Sequence, residues 1–366
     1  MGVLRVMLAL FVVIEHSSAL SVFHLPGGVF AVKVFFIISG FYMTMILNKK
    51  YIGKGSYGLF ISNRFLRLYP IYWVVIGLTI IAAFISFLSF NSWMRLMPYV
   101  AFNDFMSIKT LAFLGFTNIF LFGQDIVMFL GLNLDSGLMF FTNNFTKTSP
   151  ELHNFLLIPQ AWTIGLELIF YLIAPFLVRK KLRVILLLIA ASFLLRGYIY
   201  FILEMHHDPW TYRFFPTELA LFLFGTISYH IYNFFQKNPI STASHRIITF
   251  IYFIILIFYK YLPNIEYFID VKSVIFYVLT GLIIPSIFIL TKSSKIDSRI
   301  GDLSYPIYIV HMLIIYVIST IIDNFNLSIH KGTIVVMLTI ITSYLLVKYV
   351  ADPIEKIRQK RVKIYK

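Results

Sequence analysis

Few side chains in this sequence can do chemistry, and most of those lie inside apolar runs. Arg5 and His16 are eleven positions apart in the first run. At 3.6 residues per turn this is about three turns, so both project from one helix face across roughly 16 Å of rise. An imidazole at membrane depth is either a packing group bonded to a neighbour or a proton acceptor. Arg64 and Arg67, in NRFLRLYPIYW, stand at i, i+3. Their two guanidinium forks can meet one phosphate-bearing ligand, or they simply flank a span with positive charge.

Glu167 lies in QAWTIGLELIFYLIAPF, between Trp162 and Tyr171, the tyrosine one turn beyond it. A carboxylate there must be paired, protonated or wet. Ser304, Tyr308 and His311 fall at i, i+4 and i+7 of GDLSYPIYIVH and form a polar stripe on an apolar helix. In GGVFAVKVFFIISGF, Ser39–Gly40 permits close backbone approach, while Lys33 either neutralises Glu15 or Glu167 or snorkels. Cysteine is absent, which excludes disulfides, thiolate metal sites and a cysteine nucleophile. His206–His207 lacks acidic partners at metal-like spacing, so no metal is expected. Walker and GxSxG loops are absent as well.

The elements that hold these groups follow from composition. Only 13% of the 366 residues are charged, about half the roughly 25% of a soluble domain, and 59% are hydrophobic. Such a surface must face lipid. The chain is therefore expected to be one all-α, polytopic transmembrane helix bundle over residues 1–366, with no soluble module. With about 20 apolar residues needed per crossing, ten spans are expected: 3–22, 28–47, 68–90, 160–178, 183–203, 216–235, 247–263, 271–291, 304–323 and 332–350. Glu15 and His16 within the first run mark a retained helix and not a signal peptide.

An even number of spans puts both termini on one side. With that side cytoplasmic, 22 lysines and arginines fall inside, 7 fall outside and two lie within spans. The net charge of +15 thus reads as topology and not as nucleic-acid binding. The longest connection, about 91–159, is expected outside. Its segment 111–131, broken by Gly115, Gly123 and Asp125, is expected to be a re-entrant or interfacial helix. No internal repeat is evident.

In order along the chain, these motifs resemble the membrane acyltransferase-3 family, bacterial proteins that acylate extracytoplasmic carbohydrates. Arg5 and His16 resemble its arginine–histidine pair, and residues 27–41 its G-x-x-G-V-D-x-F-F-x-x-S-G-F segment. Arg64 and Arg67 resemble its R-x-x-R, and Trp162 to Tyr171 its W-S-L-x-x-E-x-x-F-Y. Residues 301–311 resemble its G-x-x-S-Y-x-x-Y-x-x-H, and DPIEK with Glu355 its terminal I-E-x-P. Two positions depart: Lys33 stands where the family has an acid, and Thr163 replaces a serine.

The resemblance implies a multi-pass protein of the bacterial inner membrane, without a fused second domain. It implies acyl-CoA, most often acetyl-CoA, as cytoplasmic donor, and a hydroxyl of a lipid-linked or polymeric glycan (O-antigen, capsule or exopolysaccharide) as acceptor. On this reading His16 is the base, Arg5 supports it or the donor, and Glu167 orients His16 or binds sugar hydroxyls. Arg64, Arg67, Ser39 and Lys33 are the donor-binding candidates, with Trp162, Tyr171, Ser304, Tyr308 and His311 as a substrate-binding or structural stripe. Two other classes fit ten spans with intramembrane charge: a transporter or flippase, which usually carries internal repeats, and a polymerase of lipid-linked sugars.

Overall fold

The apolar runs fold as helices because a chain in lipid must satisfy its own backbone hydrogen bonds. The computed structural model describes residues 1–17, 25–263, 270–327 and 329–365, with side chains through Val362. The helices are α1 (Gly2–Ser17), α2 (Gly28–Lys49), α3 (Ser56–Phe90), α4 (Met97–Phe102), α5 (Ile108–Phe120), α6 (Trp162–Leu177) and α7 (Leu182–Phe201), then α8 (Phe215–Lys237), α9 (Thr242–Ile257), α10 (Val271–Thr291), α11 (Lys295–Asp302), α12 (Ser304–Phe325), α13 (Lys331–Leu346) and α14 (Asp352–Tyr365). A π-helical turn, Val347–Ala351, joins the last two.

Seven helical stretches are long and apolar enough to cross a bilayer: Gly28–Lys49, Ser56–Phe90, Pro159–Leu177, Leu182–Phe201, Val271–Thr291, Lys295–Phe325 and Lys331–Val362. The spans expected over 3–22, 216–235 and 247–263 correspond to α1, α8 and α9. Of these, α1 and α9 have 16 residues each, fewer than the ~20 of a full crossing. Residues 18–22 of the first expected span lie outside the described residues. At 23 residues α8 is long enough, but serine, threonine, tyrosine and Glu218 dilute its apolar run.

Three expectations are corrected. The third helix begins at Ser56, ahead of the NRFLRLYPIYW stretch at Asn63 expected to open it, so Arg64 and Arg67 sit well inside it. Its polar first turns hid that start from a search for apolar runs. Segment 111–131 is not one helix: α5 stops at Phe120, Leu121 turns left-handed (φ 60°), and the chain leaves in short turns. Thirteen residues rise only about 20 Å. The fold is also not wholly helical, because β1 (Leu130–Leu132) pairs antiparallel with β2 (Met139–Phe141). Their turn is held by Asn133, whose side-chain oxygen accepts from the N–H groups of Asp135 and Ser136.

Packing is closest between α2 and α8. A Cβ on Gly40 would lie 1.8 Å from the Phe222 carbonyl oxygen, and one on Gly225 2.0 Å from that of Ile37. Only glycine allows these backbones to touch. The Thr44 and Thr226 hydroxyls meet at 2.9 Å, one turn from the contact, and Phe222 is sandwiched by Phe36 and Phe170 (centroids at 4.6 and 4.4 Å). Helix α1 leans on α2, α11 and α12. The amino terminus ion-pairs with Asp297 at 2.6 Å, whose carboxylate also accepts the N–H groups of Gly2 and Val3. The last helix folds back: Arg299 grips Asp352 with two bonds of 2.6 Å, and Arg361 reaches Ser62 on α3 at 2.8 Å.

Candidate functional site

On the face that carries the amino terminus, α1, α2, α3, α6, α11, α12 and α14 enclose a cavity of about 650 Å³, within the range of ligand-binding clefts. Eight of the twelve residues singled out in the sequence line it: Arg5, Ser39, Arg64, Arg67, Glu167, Tyr171, Ser304 and Tyr308. The other four, His16, Lys33, Trp162 and His311, lie beyond it.

The cavity wall is cationic. The amino terminus, Arg5, Lys50, Arg64, Arg67, Lys292 and Arg358 face it, against the carboxylates of Glu167, Asp297, Asp302, Asp352 and Glu355. Most of those acids are engaged. Asp297 holds the amino terminus and Asp352 holds Arg299, while Glu355 accepts from Arg358 and Gln359. Glu167 accepts the Tyr171 hydroxyl at 2.6 Å. Arg64 is 6% exposed, and its Nε–H is buried without an acceptor. Arg67 forms no hydrogen bond or ion pair among the described residues. The Ser39 hydroxyl, 7% exposed, is likewise buried without a partner. A guanidinium cannot shed its proton to escape burial. Orphaned donors of this kind along a cleft suit an anionic ligand that also accepts hydrogen bonds.

The floor of the cavity is a knot of uncharged groups. The Tyr308 hydroxyl donates to the Gln160 carbonyl at 2.9 Å and accepts from the Thr163 hydroxyl at 3.0 Å. Gln160 itself donates to the Ile309 carbonyl at 2.7 Å. One turn further along α12, about 5 Å of rise, is His311. It is fully buried, and its Nδ1 lies 2.8 Å from the Tyr308 carbonyl.

That carbonyl can only accept, so the network assigns the proton of His311 to Nδ1. The lone pair of His311 is then on Nε2, 2.9 Å from Nδ1 of His16. His16 Nδ1 must donate, which leaves His16 Nε2 with a free lone pair. The two rings are nearly parallel, 5.2 Å between centroids, and His16 is exposed where His311 is not. The stripe of α1 and the stripe of α12 thus meet as a two-imidazole relay anchored on a backbone carbonyl.

Glu167 does not orient His16, since its hydroxyl partner is Tyr171. Lys33 is paired with neither Glu15 nor Glu167. Its ammonium lies 5.9 Å from the ring centroids of both Tyr212 and Tyr277, and Glu15 instead accepts the N–H of Gly28 at the start of α2. Lys33 is thereby outside the cavity with which the sequence grouped it. Trp162 has the Arg213 guanidinium 4.2 Å from its ring centroid and meets Tyr212 edge to face. The sequence reading missed Arg358 and Gln160. The first was legible as a stripe: Glu355, Arg358, Gln359 and Val362 repeat at i, i+3, i+4 and i+7, and all four face the cavity. Gln160 precedes its helix and carries no periodic signal.

The family described as an acyltransferase domain matches residues 1–348. The chain is also similar to a protein of Aquifex aeolicus, itself described only as an uncharacterized protein, with 26% identity over 211 residues that cover 55% of this chain and 89% of that one. No solved structure matches.

Proposed function

The chain belongs to the acyltransferase-3 family, and from that premise we propose that this membrane acyltransferase moves an acyl group, namely acetyl, from acyl-CoA to a carbohydrate hydroxyl. The donor enters the cationic cavity from the cytoplasm, with its phosphates on Arg64 and Arg67 and its acyl arm directed at the Tyr308–Thr163 floor. The acceptor, a lipid-linked or polymeric glycan of the bacterial envelope, approaches from the opposite face. Nε2 of His16 takes the proton of the acceptor hydroxyl as its oxygen attacks the thioester carbonyl. The C–S bond breaks, and the departing thiolate recovers that proton from His16. His311 acts through His16, holding it in the tautomer whose free lone pair faces the acceptor.

One observation carries the reading: the His16–His311 relay begins one helical turn beyond a cleft lined by arginines, two of which, Arg64 and Arg358, keep a buried Nε–H without an acceptor. A base and an anion site lie on two sides of a thin partition, as transfer between compartments requires.

The test uses purified protein in vesicles with labelled acetyl-CoA and envelope glycan. Label is expected to reach glycan, and His16→Ala is expected to lower the rate about 10²–10⁴-fold with folding intact. Wild-type transfer by that variant would overturn the assignment of the base. Movement or polymerisation of glycan without labelling would favour a flippase or a polymerase instead.

A further inference from the structure

We infer that Arg213 and Asp208, with Tyr212 as a wall, form a subsite for the acceptor, and that it reads a vicinal diol of an uncharged sugar ring. This rests on the reading above that the acceptor is a glycan. Both residues lie in the turn between α7 and α8, outside every motif singled out in the sequence.

The turn is held at several points. Trp210 Nε1 and His207 Nε2 both meet the Asn143 carbonyl, at 2.9 and 3.0 Å. Arg196 donates to the Thr211 carbonyl at 2.9 Å, and the Arg213 backbone N–H closes on the Pro209 carbonyl at 2.7 Å. Both oxygens of Asp208 accept the Nε–H of Arg213, at 2.8 and 2.9 Å. The Trp162 ring centroid lies 4.2 Å from Cζ of the same guanidinium. The pair is thus a fixed part of the fold, but it leaves one edge free. A guanidinium has five N–H donors, and the four on the two Nη atoms of Arg213 have no acceptor among the described residues. The Tyr212 hydroxyl, on a ring 5.2 Å from that guanidinium, has no partner there either.

The balance of these groups selects the ligand. Asp208 already cancels the charge of Arg213, so a second carboxylate would meet repulsion as well as attraction. A vicinal diol suits the pair, because each hydroxyl both donates and accepts. One oxygen accepts from an Nη–H of Arg213 while its neighbour donates to Asp208. Both side chains are within reach, 15% and 31% exposed, and Tyr212 offers its ring to the apolar face of a sugar.

Place agrees with this role. Just beyond the last turn of α6, Arg179 bonds the carbonyls of Leu47 and Tyr51 on the amino-terminal face. Trp162 opens the same 16-residue helix, about 24 Å away. Its neighbour Thr163 bonds Tyr308 in the cavity floor, and Tyr212 and Arg213 both lie within electrostatic range of Tyr308. The Tyr308 ring is in turn 6.0 Å from that of His311. A sugar on Arg213 therefore sits across the floor from the donor and close to the relay.

Binding of purified envelope glycan to the full chain, without acyl-CoA, should be measured by calorimetry. The same glycan with its diols cleaved by periodate, and with its carboxyls reduced, supplies two further probes. Wild type is expected to bind native and carboxyl-reduced glycan equally, and diol-cleaved glycan about 10- to 100-fold more weakly, the worth of lost charged hydrogen bonds. Arg213→Lys keeps the charge but loses the fork. It and Asp208→Asn are expected to bind native glycan about tenfold or more weakly, with KM for acetyl-CoA unchanged. The pair is partly exposed, so both variants are expected to fold. Full glycan binding by Arg213→Lys, equal binding of diol-cleaved glycan, or loss of binding on carboxyl reduction would overturn the diol subsite. So would a rise in KM for acetyl-CoA matching the loss in glycan binding, the mark of a purely structural tie. Each of these leaves the acyl-transfer reading intact. A wild type that binds glycan yet never labels it from acetyl-CoA would overturn that reading instead.

Discussion

Arginines away from the cavity and arginines around it are partnered differently. Away from the cavity, Arg196 bonds Glu218 at 2.6 Å and the carbonyls of Thr211 and Thr217 at 2.9 and 3.0 Å. Arg213 bonds both oxygens of Asp208 and stacks on Trp162. Around the cavity, buried Arg64 and exposed Arg67 bond no carboxylate, though Glu167 and Asp302 lie within range of Arg67. A paired buried charge is part of the fold, whereas an unpaired one is a cost borne until a ligand arrives. Asp125 provides a third case. It is 5% exposed, and one of its oxygens has no partner, but an acid can take up a proton. Burial pushes its carboxyl up to about 6. An orphaned arginine has no such escape.

Three experiments probe this contrast. The largest effect is expected for Glu218→Ala. Glu218 is fully buried, and its removal strands Arg196, at a cost of about 3–5 kcal/mol measured by thermal unfolding in detergent. An unchanged midpoint would mean that the pair does not hold α7 to α8.

Next comes Asp125. Its folded value lies above the ordinary carboxylate 3.8, so the unfolded chain loses its proton first as pH rises. Stability is full below pH 3.8, falls between there and pH 6, and is level above, a loss of about 3 kcal/mol in all. Asp125→Asn is expected to abolish that slope and to be the more stable protein at pH 7. A slope that persists in the variant would assign the titration elsewhere.

The smallest effect on the fold is expected for Arg64→Met. Loss of a charge without a partner should change stability by no more than ~1 kcal/mol in either direction, while acetyl-CoA binding weakens about tenfold or more. Severe unfolding of this variant would show that Arg64 has a structural partner after all.

The helices were legible because lipid demands long apolar runs, and a run of that length admits one structure. The motifs of α1, α3, α6 and α12 were legible because each carries polar groups at helical spacing inside such a run. What stayed hidden depends on contacts distant in sequence. That His16 meets His311, 295 positions away, follows from how α1 leans on α12 and from no local pattern. Lys33 could have reached several acids; two aromatic rings hold it instead. Arg358 read as one more basic residue of a charged tail, because its burial arises only when α14 folds back onto α3. The β1–β2 hairpin has three residues per strand, too few for an alternating pattern to register.

The partition formed by Tyr308, Thr163 and Gln160 has an electrical consequence. On the proposed reading, with the cleft facing one compartment and His16 the other, the membrane voltage would fall across a barrier one helical turn thick. Each 100 mV is worth about 2.3 kcal/mol to a unit charge, concentrated here over a few ångströms. Two hydroxyls that bond each other and the Gln160 carbonyl form a neutral barrier, able to part for a slender uncharged arm without offering protons a standing leak.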